Sequence, residues 1–219
     1  MDLEQIEYPS LQEVAYERIQ QGLRRGAFKP GESLPTRTIA KALGISTTPV
    51  REALGRLVAQ NVLAVDSVNG TPYVPQLTPE LIREVYELRS VLEGMATEYA
   101  AKNITDSELG QLENLWGQLS AKGIDREEQH RLTGEFQLII YRAARHPVLL
   151  DLIQSILLRS GLILGLLSKS RPKGFNVEGH RQKLLLALKK HDGKRARQAT
   201  QDGVDDTRDM LLSLMTKPE

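Results

Sequence analysis

The segment GISTTPVREALGRL, Gly44 to Leu57, constrains the fold more than any other part of the chain. Gly44 can end one helix in the left-handed conformation. Thr47 can open the next, whose apolar residues Val50, Leu54, Leu57 and Val58 recur at helical spacing. Pro49 is tolerated because the first turn has no intrahelical N–H partners to lose. The spacing therefore predicts a short helix over Pro35 to Leu43, a tight turn, and a longer helix over Thr47 to Asn61. Upstream, Leu11, Val14, Ala15, Ile19 and Leu23 mark a further helix, and Pro30-Gly31 marks a turn. Downstream, Val62 to Val65 and Pro72 to Val74 flank Asn69-Gly70, a hairpin turn pair. Three helices and a hairpin form a winged helix-turn-helix, placed at residues 1–77.

Beyond Thr78-Pro79-Glu80, a helix start with an N1 proline and an acidic first turn, the pattern is helical throughout. Helices are predicted near 79–102, 105–121, 125–144, 147–168, 176–191 and 193–215, with a capping box at Thr105 to Glu108. Pro147 to Leu167 is apolar nearly all round and reads as a helix buried in a bundle. Asp151, Gln154 and Arg159 interrupt it and argue against a membrane span. The fold class is thus mostly α: the winged domain followed by an all-helical antiparallel bundle at 78–219. The start MDLEQIEYPS is acidic and lacks an apolar run, unlike a signal peptide. With no cysteine there is no thiol nucleophile, disulfide scaffold or Cys-ligated zinc.

A helix that follows a short helix and a tight turn is the recognition helix of the motif, and its N-terminal end enters the major groove. Its unpaired N–H groups and dipole suit phosphate. Ser46, Thr47 and Thr48 can bond phosphates or base edges, and Arg51 can fork onto guanine O6 and N7. Arg37 on the preceding helix is a further candidate, and Asn69-Gly70 would lie near the minor groove. Between Ser10 and Pro75 there are eight basic residues against five acidic ones, a mild excess. Affinity must then come from placement and from two domains acting together, because a weakly basic module makes few phosphate contacts.

These segments resemble the GntR family of bacterial transcription regulators, in FKPGESLP, IAKALGISTTPVREALGRLVAQNVL and the NG wing. VYELRSVLEGMATEYAAKNIT, GEFQLIIYRAARHPVLLDLI and HRQKLLLALKKHDGKRARQAT resemble the FCD-type, FadR-like effector domain of that family. The resemblance spans about Leu11 to Met210. It implies a homodimer on a pseudo-palindromic double-stranded operator, a repressor in the cytoplasm, at the nucleoid when bound, with no membrane partner. Thr47 departs from the family, which usually has arginine there, so the operator should differ at the base pair that arginine would read.

The resemblance also implies positions for a divalent metal, held in many FCD domains by an Asp–His pair one turn apart and two later histidines. Here the pair falls on Thr133 and Gln137, the third position on His180 or Arg181, and the fourth on Asp202 or Gly203. Only His180 and Asp202 remain as ligands, too few for a site that takes three or four protein groups. No metal or other cofactor is therefore expected. His130, His146 and His191 read as surface or helix-end residues. A polar stripe of Thr133, Gln137 and Tyr141 remains, with Arg89, Arg159 and His180 as partners for an effector, a small organic or sugar acid. An internal ion pair, Arg89 with Glu93, is the alternative use of that arginine. Catalytic residues are not expected: the chain has no dense cluster of acid, base or nucleophile groups and no phosphate-binding glycine loop. An architectural DNA-binding protein, or less readily a helical-bundle enzyme, are the rival classes.

Overall fold

A computed structural model describes residues 10–121, 123–167 and 177–215. Contacts gather the chain into two compact units. The first takes everything up to Thr78 and also the last part of one long helix, from Leu158; the second takes Pro79–Leu157 and the later helices.

The first unit opens with α1 (Leu11–Arg24), capped by Ser10, whose hydroxyl accepts from Glu13 N at 3.2 Å. Next come α2 (Thr36–Leu43) and α3 (Thr47–Ala59). Gly44 closes α2 at φ 69°, a conformation that disfavours any side chain. Val50, Ala53, Leu54 and Leu57 of α3 pack against Ala15, Ile19 and Leu23 of α1, each almost completely buried. Arg56 lies 3.9 Å over the Tyr16 ring and bonds Glu13 at 2.8 Å, and the Tyr16 hydroxyl donates to Gln60. Arg56 therefore ties α3 to α1.

The wing is β1 (Ala64–Val65) and β2 (Pro72–Tyr73), paired antiparallel with Ala64 opposite Tyr73. The paired strands are shorter than the runs the sequence marks, and the connection is longer than a two-residue turn. Asp66 organises it: its carboxylate accepts from Val68 N and Asn69 N at 2.8 and 3.1 Å, and its carbonyl accepts from Gly70 N. Asn69 in turn accepts from Thr71 N, and Gly70 stands at φ 69°. A third extended stretch joins this sheet, where Ser33 bridges Tyr73 and Gly31 N and Leu34 N bond the carbonyls of Val74 and Pro72.

The second unit contains α4 (Pro79–Asn103), α5 (Asp106–Leu119), α6 (Arg126–Ala143), the first part of α7 (Pro147–Leu167), α8 (Val177–Lys189) and α9 (Gly193–Met215). α4 is the central element, packed against α6, α8 and α9. Its small residues Ala96, Ala100 and Ala101 let neighbouring helices approach Phe136, Ile140 and Leu188 in one core. Thr105 and Glu108 form the expected capping box.

α7 departs from the expectation of a single buried bundle helix. It is long and apolar enough, by length and composition, to cross a membrane. Its Ile153 belongs to the core of the second unit, whereas Leu162 belongs to the core of the first. Gly165 explains the second contact. A Cβ there would stand 2.5 Å from the carbonyl oxygen of Leu23 and 2.6 Å from that of Arg24, so backbone meets backbone.

Candidate nucleic-acid interface and polar cluster of the bundle

The face of α3 opposite Val50, Leu54 and Leu57 carries Thr48 and Arg51, both exposed. Ser46 stands at the N-cap, exposed and with no side-chain capping bond. Its hydroxyl is therefore not used to cap the helix. Thr47 is half-buried at the first turn. Arg37 and Arg51 are exposed and have no ion-pair partner among the described residues. Thr36, Arg51, Leu54, Val65, Gly70 and Pro72 line one shallow depression. Arg51 of α3 and Gly70 of the wing thus border a common concavity. Asn69 and Gly70 are exposed at that tip. Six sequence-predicted positions, Ser46, Thr47, Thr48, Arg51, Asn69 and Gly70, lie on α3 and the wing, with Arg37 on α2.

A second polar group lies inside the bundle. Arg89 and Glu93, one turn apart on α4, are 6% and 1% exposed, which makes their pairing obligatory. Arg89 Nε donates to Glu93 Oε1 at 2.6 Å, and the Tyr141 hydroxyl donates to Glu93 Oε2 at 2.5 Å. Burial opposes the charge of Arg89, but Glu93 and the nearby phenols outweigh it and raise its pKa. Burial, then the charge and hydrogen bond of Glu93, pushes the Tyr141 phenol well above its usual range. Arg89, expected to hold an effector carboxylate, holds an internal one.

Thr133 and Gln137 are half-buried on the Tyr141 face of α6. Thr133 Oγ1 donates to the Gln129 carbonyl at 2.7 Å and accepts from Arg181 Nη2 of α8 at 2.9 Å. The structure so links Arg89, Glu93 and Tyr141 to one another and Thr133 to Arg181, with Gln137 between Thr133 and Tyr141 along α6. Two expected partners have other contacts. Arg159 is on the part of α7 grouped with the first unit, where its Nε donates to the Gln60 carbonyl at 3.4 Å. His180 Nε2 pairs with Asp206 at 2.7 Å, and its Cβ packs on Gly203. Asp202 accepts from Gln198. His146 stacks on Tyr99 and His191 bonds the Ala101 carbonyl, both at helix ends.

These donors do not fit a divalent metal. A guanidinium bonded to Thr133 repels a cation there, and Thr and Gln are weak ligands. Among the described residues, no group of three His, Asp or Glu converges.

The model of bacterial regulatory proteins of the gntR family matches residues 11–72, and that of the FCD domain matches residues 84–206. The chain belongs to the GntR family, with an FCD domain. It is 37% identical over 139 residues to the HTH-type transcriptional regulator McbR of Escherichia coli (strain K12), covering 62% of each. It is 31% identical over 180 residues to the probable D-xylose utilization operon transcriptional repressor of Paenarthrobacter nicotinovorans, covering 81% of this chain and 78% of that protein. The solved structure of E. coli McbR/YncC superposes with a TM-score of 0.83 at 30% identity, over 95% of this chain and 100% of that one. The chain spans about three-fifths of the length of the first curated relatives it matches. These relatives and domains are regulators, not enzymes.

Proposed function

We propose that the protein is a transcription regulator, a repressor that binds a pseudo-palindromic operator as a cytoplasmic homodimer. A small carboxylate in the helical bundle would change its operator affinity. The observation that carries the DNA reading is the uncapped, exposed start of α3. Ser46, Thr48 and Arg51 are exposed, Arg51 borders the same depression as Gly70 of the wing, and Arg51 has no ion-pair partner among the described residues. An arginine fork held on a rigid helix reads guanine, and the free N–H groups of the helix start take a phosphate. Two-fold symmetry of a dimer would repeat the contact one helical turn away.

In the bundle, Thr133 and Gln137 offer neutral hydrogen bonds one turn apart, within a group that also contains charged residues. A ligand there acts on DNA only if it binds two arrangements of the protein with different affinity. The repressor reading is supported by the P. nicotinovorans relative, a probable transcriptional repressor of a D-xylose utilization operon.

Selection of bound fragments from random DNA, followed by fluorescence anisotropy, tests the DNA reading. Arg51→Ala should weaken binding to the selected duplex by about 1–3 kcal/mol and relax preference at one base pair per half-site. Thr47→Arg should shift the preferred base. Unchanged affinity of both variants for selected and random duplexes would remove α3 as the reading element.

A further inference from the structure

We infer that the wing selects A·T pairs in the minor groove through Val68 and Asn69, by shape and an amide donor and without a cation; this rests on the reading of α3 as the DNA-recognition helix. Between Arg56 and Glu80 the sequence has Asp66 as its one charged residue. A wing without lysine or arginine gains nothing from phosphate attraction, the term that supplies essentially all sequence-independent affinity. Its carboxylate is half-buried and accepts from Val68 N and Asn69 N inside the loop.

The backbone of the tip is equally committed. Asp66 N donates to the Thr71 carbonyl at 3.0 Å, and Gly70 N donates to the Asp66 carbonyl at 2.9 Å. Thr71 N donates to Asn69 Oδ1 at 2.8 Å. The N–H groups of Asp66 and Val68 to Thr71 are thus spent within the tip and do not serve a phosphate. What the tip presents is side chain. Val68 is 93% exposed, and Asn69 beside it is exposed. A single exposed valine is ordinary on a surface. This one belongs to a loop fixed by hydrogen bonds on both sides of it, two residues before Gly70, which borders the same depression as Arg51 of α3. Thr71 orients the Asn69 carboxamide: its oxygen is used, which leaves Nδ2 and two hydrogens for a ligand.

Those two groups match one face of the duplex. In the minor groove an A·T pair, in either orientation, shows acceptors only, adenine N3 and thymine O2, whereas a G·C pair adds the guanine N2 amino donor. The Asn69 N–H groups bond the acceptors of A·T and meet a donor at G·C. The Val68 methyl groups pack on sugar and on the groove floor that A·T leaves clear, and the guanine amino group fills that space. Both contacts favour the same pairs, and neither separates A·T from T·A. The wing thereby adds an A·T preference beside the bases that α3 reads in the major groove.

Inosine isolates this contact, because an I·C pair keeps the major-groove face of G·C and lacks its N2 amino group. Fluorescence anisotropy of the full chain on the duplex selected from random DNA tests it, with each A·T pair replaced in turn by G·C and by I·C. At one or more pairs per half-site, G·C should weaken wild-type binding about fivefold or more, and I·C should stay within about twofold of A·T. Val68→Gly removes the bulk, and Asn69→Asp keeps the acceptor for Thr71 N and loses the donor. Each should lower the ratio of I·C to G·C affinity at those pairs, and the double variant should bring it close to one. A general loss of affinity in Asn69→Asp does not enter that ratio. Val68→Lys should strengthen binding to selected and random duplexes alike and steepen the salt dependence by about one counterion; an unchanged salt slope would put the tip away from the duplex and overturn the inference. If Arg51→Ala weakens specific binding but no pair separates G·C from I·C, or the double variant discriminates like the wild type, the wing inference falls and the α3 reading stands. If neither Arg51→Ala nor the DNA sequence alters affinity, the α3 reading falls and the wing inference with it.

Discussion

Glu93 is the residue on which the bundle should be most sensitive. Its carboxylate is 1% exposed and accepts from Arg89 at 2.6 Å and Tyr141 at 2.5 Å. Glu93→Ala leaves a guanidinium that is 6% exposed without its counter-charge. Breaking one side of a buried ion pair costs roughly 3–5 kcal/mol. The phenol also loses its acceptor, a further cost of about 1–3 kcal/mol that overlaps with the first. A loss of at least about 3 kcal/mol would lower a urea midpoint by about 1 M or more at a slope of about 1–3 kcal/mol per M. Trp116, the only tryptophan, packs against this core from α5, so its fluorescence follows the bundle. The informative comparison is with Arg89→Met/Glu93→Met/Tyr141→Phe, which removes every polar member at once. Replacing a buried ion pair by apolar groups of similar size is often neutral or stabilising. The triple variant should therefore be more stable than Glu93→Ala. A Glu93→Ala cost below about 1 kcal/mol, or a triple variant as unstable as the single one, would refute the assignment of an interdependent buried network.

Three further outcomes follow from single contacts. Gly165→Ala should destabilise the protein by about 1–3 kcal/mol, because its Cβ meets two backbone carbonyl oxygens at 2.5 and 2.6 Å. Gly161→Ala, whose Cβ would find only Arg24 side-chain atoms from 3.5 Å outward, should be neutral or stabilising; equal melting temperatures for the two would discount this packing. The raised pKa of Tyr141 gives a pH signature. Folding favours the neutral phenol, so its contribution is complete below the unfolded value of about 10 and declines as pH rises from there toward the folded value. The stability deficit of Tyr141→Phe should accordingly shrink above about pH 10, and urea titrations at pH 8 and pH 10.5 check it. Finally, a chelator should leave the melting temperature of tag-free protein unchanged, and stoichiometric zinc or nickel in elemental analysis would contradict the misfit of Thr133 and Gln137 to a metal.

What could be read from the sequence divides along physical lines. Helix ends were legible because each depends on a few neighbouring residues: Gly44 at its left-handed position, Thr105 with Glu108, Pro79 and Pro147 at first turns. The buried face of α3 was legible from periodicity, which also leaves Thr48 and Arg51 exposed. The wing was legible as a hairpin but not in detail. Asp66 looked like an ordinary acidic residue, yet its three acceptor contacts shape a longer loop than Asn69-Gly70 alone implies. The third stretch of the sheet, around Ser33, lacks any alternating pattern to announce it.

The polar cluster shows the other limit. Glu93 lies four residues after Arg89, a spacing equally suited to a solvated helix pair, and only the helices packed around α4 turn that pair into a buried one. A signal was present nonetheless: Tyr86, Arg89, Ser90, Glu93 and Thr97 continue the buried face of α4 in helical register among Ile82, Val85 and Ala96. Charged residues on a helix's apolar face must find partners within the core, so the question is which partner each takes. Arg89 takes a carboxylate on its own helix and Glu93 also takes the Tyr141 hydroxyl of another. The second contact depends on which helices adjoin in space, a long-range property that single-sequence periodicity does not encode. The same holds for α7. Its sequence is apolar on nearly every side, which is what a helix needs when Ile153 must fit one core and Leu162 another. Hydrophobicity alone marks such a helix as buried; it takes Gly165, closing on the carbonyls of Leu23 and Arg24, to say against what.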